Sequence, residues 1–137
     1  MNCLTVDDIV GRLRAAYIRR DLPDWGTVSR DRITNRDIEE WSAKAGLSRS
    51  ALYDAIALRL ALGFHSNTFG FSFCDWIVND LFAVIMVQNE ATPDLFWGVF
   101  LAFDAGEFYP NGDRSIDPIE RFTRPQIAEV VQKYSAN

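Results

Sequence analysis

From Leu95 to Phe103 the chain runs Leu-Phe-Trp-Gly-Val-Phe-Leu-Ala-Phe without a charge. The large side chains at 95, 96, 97, 99, 100, 101 and 103 point all round a helical wheel, which only a helix covered on most sides tolerates. The residues before the run are those of a helix start. Thr92 offers an N-cap oxygen, Pro93 suits a first-turn position where no N–H is missed, and Asp94 faces the positive end of the dipole. The stretch turns polar at Asp104 and Glu107 and breaks at Pro110-Asn111-Gly112. A central hydrophobic helix near 93–107 is therefore expected, with other helices packed round it and an acidic end in solvent.

The flanking segments supply those helices. Thr5 with Asp7 and Asp8 caps a first helix that buries Ile9, Val10, Leu13, Ala16 and Tyr17, and Arg19 and Arg20 suit its negative end. Residues 21–33 contain Pro23, Gly26 and charges without an apolar period, so they read as a surface connection. Thr34 or Asn35 opens a second helix with Ile38, Trp41 and Ala45, closed by Gly46. Leu47 packs into the corner. Ser48 caps a third helix with Leu52, Ala55, Ile56, Arg59, Leu60 and Gly63 on its inner stripe, and the aromatic stretch Phe64 to Phe71 is expected as a loop. Ser72 and Asp75 resemble a capping box for a fourth helix that runs to about Gln88, although Val84 to Val87 is β-prone. After the central helix, Asp117-Pro118 caps a short turn, and Thr123-Arg124-Pro125-Gln126 caps a last helix with Ile127, Val130, Val131 and Tyr134. The expectation is an all-α, single-domain bundle of five to seven short helices over residues 1–137.

At 137 residues, 48% of them hydrophobic, the chain can bury a core without a metal or disulfide. The uncharged run is too short for a bilayer, which needs about 20 apolar residues, and Met1 to Asp8 lack signal-peptide character, so a cytoplasmic location with Cys3 and Cys74 reduced is expected. Charge divides unevenly. Residues 1–66 carry ten Lys/Arg against nine Asp/Glu and residues 67–137 four against ten, which together make the net −5. Phosphate backbones would be repelled by the second half, so nucleic acid is disfavoured and a basic protein is the natural partner.

No motif supplies a nucleophile, a base and an oxyanion site together, and the chain does not read as an enzyme. His65 is the only histidine, and whether Cys74 or Ser66 approaches it is not visible in sequence. Without clustered Cys and His, a zinc site has little to stand on, and no cofactor is expected. Asp104 and Glu107, three apart on one helix, could act as an acid and its partner or bind a divalent ion with Asp75 or Asp80; the plainer reading is a solvated helix end. Asn111, Asp113, Ser115 and Asp117 alternate like a calcium loop, but the glycine directly follows Asn111 and position twelve is Phe122.

The segment Asp37 to Tyr53, two helices joined by Gly46-Leu47-Ser48, resembles the helix-turn-helix of bacterial repressors such as the tetracycline-repressor family. That resemblance implies DNA contacts from Arg49, Ser50 and Tyr53. The nearby positives Lys44, Arg49 and Arg59 stand beside Glu39, Glu40 and Asp54, so the field is nearly cancelled. The run Phe100 to Tyr109, with Asp117-Pro118 and Phe122 to Ile127, resembles small acidic bacterial immunity proteins of polymorphic-toxin, contact-dependent-inhibition-type systems. This second resemblance implies a binding protein that neutralises a cognate toxin, basic where the toxin is a nuclease. The residues expected to meet such a partner are Asp104, Glu107, Phe108, Tyr109, Asp113, Asp117 and Glu120. A helix-turn-helix regulator is the first alternative, and an enzyme using Asp104 and Glu107 the second.

Overall fold

Thr5 opens the first helix by a reciprocal exchange: its hydroxyl accepts the Asp8 N–H at 3.0 Å and the Asp8 carboxylate accepts the Thr5 N–H at 3.0 Å. In the computed structural model, which describes residues 4–20 and 32–135, this helix is α1 (Val6–Arg20). It is followed by α2 (Asn35–Ala45), α3 (Arg49–His65), α4 (Phe71–Val87), α5 (Asp94–Asp104) and α6 (Arg124–Ser135). A 3₁₀ turn, Pro110–Gly112, and a π-helical turn, Ile119–Thr123, lie between α5 and α6. The described residues are all-helical, without strands. No helix among them is long and apolar enough to cross a membrane. Most of the expected 21–33 connection, and Cys3, lie outside the described residues.

The corner between α2 and α3 follows local chemistry. Thr34 and Asp37 form a capping box, Gly46 takes the left-handed conformation at φ 69°, and Ser48 accepts the Ala51 N–H at 3.1 Å. Leu47 packs against the core. From this corner α3 runs through the middle of the bundle and meets all five other α-helices. Leu52, Tyr53, Ile56, Ala57, Leu60, Ala61 and Phe64 are buried along it, and the helix reaches His65, so Phe64 is a core residue and not part of a loop.

The helix α5 packs against α3, α4 and α6 and buries Phe96, Val99, Phe100, Ala102 and Phe103. Phe100 stacks on Phe82 of α4 at 4.5 Å, and Phe103 meets Phe64 edge-on at 5.3 Å. One side of α5 stays open: Trp97 is 39% and Leu101 41% exposed. The centre of the bundle is thus shared between α5 and α3.

Three helix starts differ from expectation. Pro93 is the N-cap of α5, Thr92 lies outside it, and no side chain of that segment caps it; Asp54 on α3 accepts the Phe96 N–H at 2.9 Å instead. At α4 the N-cap is Gly70 and no side-chain cap forms. Phe71 is drawn into the first turn by its contact with Phe103 at 5.9 Å, which places Ser72 inside the helix. Thr123 does not cap α6 either. The π-turn runs directly into that helix, and the buried Thr123 hydroxyl donates to the Ala102 carbonyl at 2.7 Å.

Candidate functional site

The helix expected to run to 107 stops at Asp104, and its end with the turn that follows brings Asp104 and Glu107 against Asp75 on α4, one of the two aspartates the sequence offered as their companion. Asn79, one turn along α4, donates its amide to the Asp75 backbone carbonyl at 2.8 Å, to Asp75 Oδ1 at 3.2 Å and to Glu107 Oε2 at 2.9 Å. Burial, then the adjacent Glu107 carboxylate and the field of Asp104, pushes the Asp75 carboxyl up to about 8. Asp104 is raised as well, by burial first and then by Glu107. The crowding therefore disfavours ionisation of all three carboxyls together. The other candidate, Asp80, is turned elsewhere and accepts the Ile33 N–H at 3.3 Å. Among the described residues no three His, Cys, Asp or Glu side chains are grouped as metal ligands.

Beyond this cluster the remaining expected residues spread over the surface between α5 and α6. Phe108 is 74% exposed, the most open aromatic among the described residues, and Tyr109 lies 5.1 Å beneath the Arg114 guanidinium. Asp113 is engaged locally: Ser115 donates both its N–H, at 2.9 Å, and its hydroxyl, at 2.7 Å, which lowers the carboxyl's pKa. Asp117 accepts the Ile119 N–H at 3.0 Å and starts the π-turn. Glu120 pairs with Arg124 at 2.9 Å. The acids thus divide into two groups. Asp104 and Glu107 share a crowded field, whereas Asp113, Asp117 and Glu120 each spend an oxygen on shaping the loop.

The residues of the alternative DNA-reading corner are not presented together. Tyr53 is 1% exposed and its hydroxyl donates to Glu90 at 2.6 Å. Arg49 holds the same Glu90 carboxylate through Nε and Nη2, both at 2.9 Å. The pair raises Arg49 and lowers Glu90, through their mutual hydrogen bonds first. Burial, ahead of that bond, raises Tyr53. Only Ser50 of the three is exposed. This corner is tied to the segment before α5, which a groove-reading helix would have to release.

The thiol and imidazole considered for covalent chemistry are also placed differently from each other. Cys74 is fully buried, with its Sγ 3.7 Å from the Leu60 carbonyl, and burial pushes its thiol up. His65 is exposed at the end of α3. A thiol so placed has neither the access nor the thiolate character of a nucleophile.

Sequence reasoning passed over an open groove of about 430 Å³ between α5 and α6, lined by Gly98, Leu101, Val130 and Tyr134 with Asp94, Gln126, Glu129 and Lys133 around it. The available signal was the glycine in the middle of an otherwise bulky helix. Comparison with protein-family models, curated proteins and solved structures finds no match for this chain.

Proposed function

We propose that the chain is a protein-binding module that captures a basic partner through the surface from Asp104 to Glu120, as an immunity protein does when it neutralises a cognate bacterial toxin. The observation that carries this reading is the crowding of Asp104 and Glu107 against Asp75, with the exposed Phe108 next in the chain. Carboxyl groups held this close are unfavourable to one another, and a partner's Lys or Arg arriving there offsets their repulsion. Phe108 supplies an aromatic anchor at the rim of that field. Arg114, the single cation between 104 and 120, is stacked on Tyr109, and the net charge of −5 favours a basic partner at long range.

The test is capture and protection with the product of the neighbouring gene, for wild type and the double reversal Asp104→Lys/Glu107→Lys. Loss of capture is expected, with the association rate falling first and becoming less sensitive to salt. Because the reversal removes like charges beside Asp75, the fold should melt no lower than wild type. A folded double variant that still captures and protects at low expression would remove the acidic surface from the interface.

A further inference from the structure

The groove between α5 and α6 presents a surface distinct from the 104–120 segment. Its floor is Gly98 and Leu101 on α5 with Val130 on α6, and its lips carry Asp94 and Glu129 on one side of the charge balance and Lys133 on the other. Leu101 is 41% exposed at the groove, whereas Trp97 is packed on Phe82 on the α4 side of α5. Neither Asp94 nor Glu129 has an ion-pair partner among the described residues, whereas Lys133 lies 5.1 Å over the Tyr134 ring.

Gly98 is the decisive residue. A glycine inside a helix is less stable than alanine, so a bundle keeps one where a side chain would collide. Gly63 and Gly106 fit that account: a Cβ would fall 2.0 Å from the Phe69 ring at the first and 2.3 Å from the Thr123 hydroxyl at the second. At Gly98 the nearest contact would be Val130 Cγ2 at 3.8 Å, ordinary van der Waals distance. Nothing among the described residues requires the glycine. Gly11 on α1 is equally unconstrained, but nothing at all lies within 4 Å of its Cβ position, whereas Gly98 forms the floor of a cleft between two helices with the exposed Leu101 beside it. Bare backbone at the bottom of such a cleft permits close approach by an outside group.

We infer that the α5–α6 groove is a docking site for a basic amphipathic helix of a partner protein. Asp94 to Leu101 spans two turns of α5, about 10 Å, which matches two turns of a guest helix seating its apolar anchors over Gly98 and against Leu101 and Val130. The lip carries two acids to one cation, so the guest's flanking residues are cationic. A second copy of this chain, itself at net −5, is the poorer electrostatic match.

The proposal stands apart from the 104–120 reading, because it is tested at Gly98 and not at Asp104 or Glu107. The probe is an amphipathic Leu/Lys helical peptide of about 14 residues, titrated into the isotopically labelled full chain and followed by amide NMR shifts. A Leu/Glu peptide of the same pattern and a scrambled Leu/Lys peptide serve as controls. Saturable shifts at Gly98, Leu101, Val130, Lys133 and Tyr134 are expected. Gly98→Met should weaken binding at least about tenfold and Gly98→Ala by less, neither lowering the melting temperature. Equal binding of the scrambled peptide, shifts confined to 104–120, a folded Gly98→Met that binds as wild type does, or self-association mapping to the groove would each overturn the proposal.

Discussion

The Asp54 carboxylate, in the second turn of α3, accepts the Phe96 N–H at 2.9 Å, so the helix at the middle of the bundle caps the start of α5 across 42 residues of sequence. Burial raises the Asp54 carboxyl, and the Phe96 hydrogen bond opposes that rise. Asp54→Ala should cost about 1 kcal/mol, the usual worth of an N-cap. Asp54→Asn, which keeps an acceptor, should retain most of the stability. Urea unfolding of the three proteins checks this; equal midpoints for Ala and wild type would mean that solvent serves the Phe96 N–H as well.

A second pair of substitutions separates glycines kept for internal packing from the one that is not. Gly106→Ala would drive a Cβ toward the Thr123 hydroxyl and the Phe71 ring, and should destabilise by about 1–3 kcal/mol. Gly98→Ala should stabilise by about 0.5–1 kcal/mol. The same unfolding curves decide both, and a loss at Gly98 would show that its neighbours are tighter than the 3.8 Å contact implies.

Stability should fall on the alkaline side. An unfolded aspartate titrates near 3.8 and Asp75 in the fold near 8, so between these values the folded chain binds a proton that the unfolded chain does not. Its favourable contribution is complete at the acid end of that window and is lost as pH rises through about 8. Glu90, lowered by Arg49, acts in the opposite sense: its contribution is present above the ordinary value of 4.5 and is lost as the pH falls through its lowered value. Asp75→Asn should flatten the alkaline limb and melt above wild type at high pH. Melting curves from about pH 5 to about pH 9 test it, and a wild-type Tm that does not fall relative to Asp75→Asn between about pH 5 and about pH 8 would count against crowded carboxyls.

The Tyr53, Arg49 and Glu90 network should respond unequally to truncation. Tyr53→Phe removes one hydrogen bond and leaves the ion pair, at about 1 kcal/mol. Glu90→Ala leaves a buried hydroxyl and a guanidinium without their acceptor, and should cost about 2–3 kcal/mol. If Glu90→Ala were as mild as Tyr53→Phe, water would have to replace the carboxylate.

What was legible in the sequence is what local chemistry decides. Thr5 with Asp8, the helix start at Thr34, Gly46 and Ser48 rest on contacts within three or four residues, and each does what its local sequence indicates. Ser72 and Asp75 have the same spacing and do not cap, because Phe71 is held in the helix by Phe103 and Asp75 is turned toward Glu107. The prominence of α3 was hidden for a related reason. Its chemistry lies in contacts with five other helices, and a residue such as Asp54 looks like an ordinary surface acid until α5 is laid against it. At the candidate site, Asp104 and Glu107 were visible as near neighbours in sequence, although α5 ends at Asp104 and Glu107 stands in the turn after it. The choice between Asp75 and Asp80 as their companion depends on the rotation of α4, which no spacing within 104–120 specifies. The groove had one local sign, Gly98, whose meaning depends on the distance to Val130.

The hydrogen bond from Thr123 to the Ala102 carbonyl joins residues 21 apart, and between them lie all seven residues of the expected partner-binding surface. That surface is a loop clasped at its neck by a buried contact, with the Asp113 and Asp117 caps made inside the clasp and Glu120 paired to Arg124 just beyond it. Lengthening a closed loop costs little, about 0.6 kcal/mol for each doubling. Residues 108–122 can therefore change in length and charge at little cost to the helical frame, while Asp104 and Glu107 stay tied to it through Asp75 and Asn79.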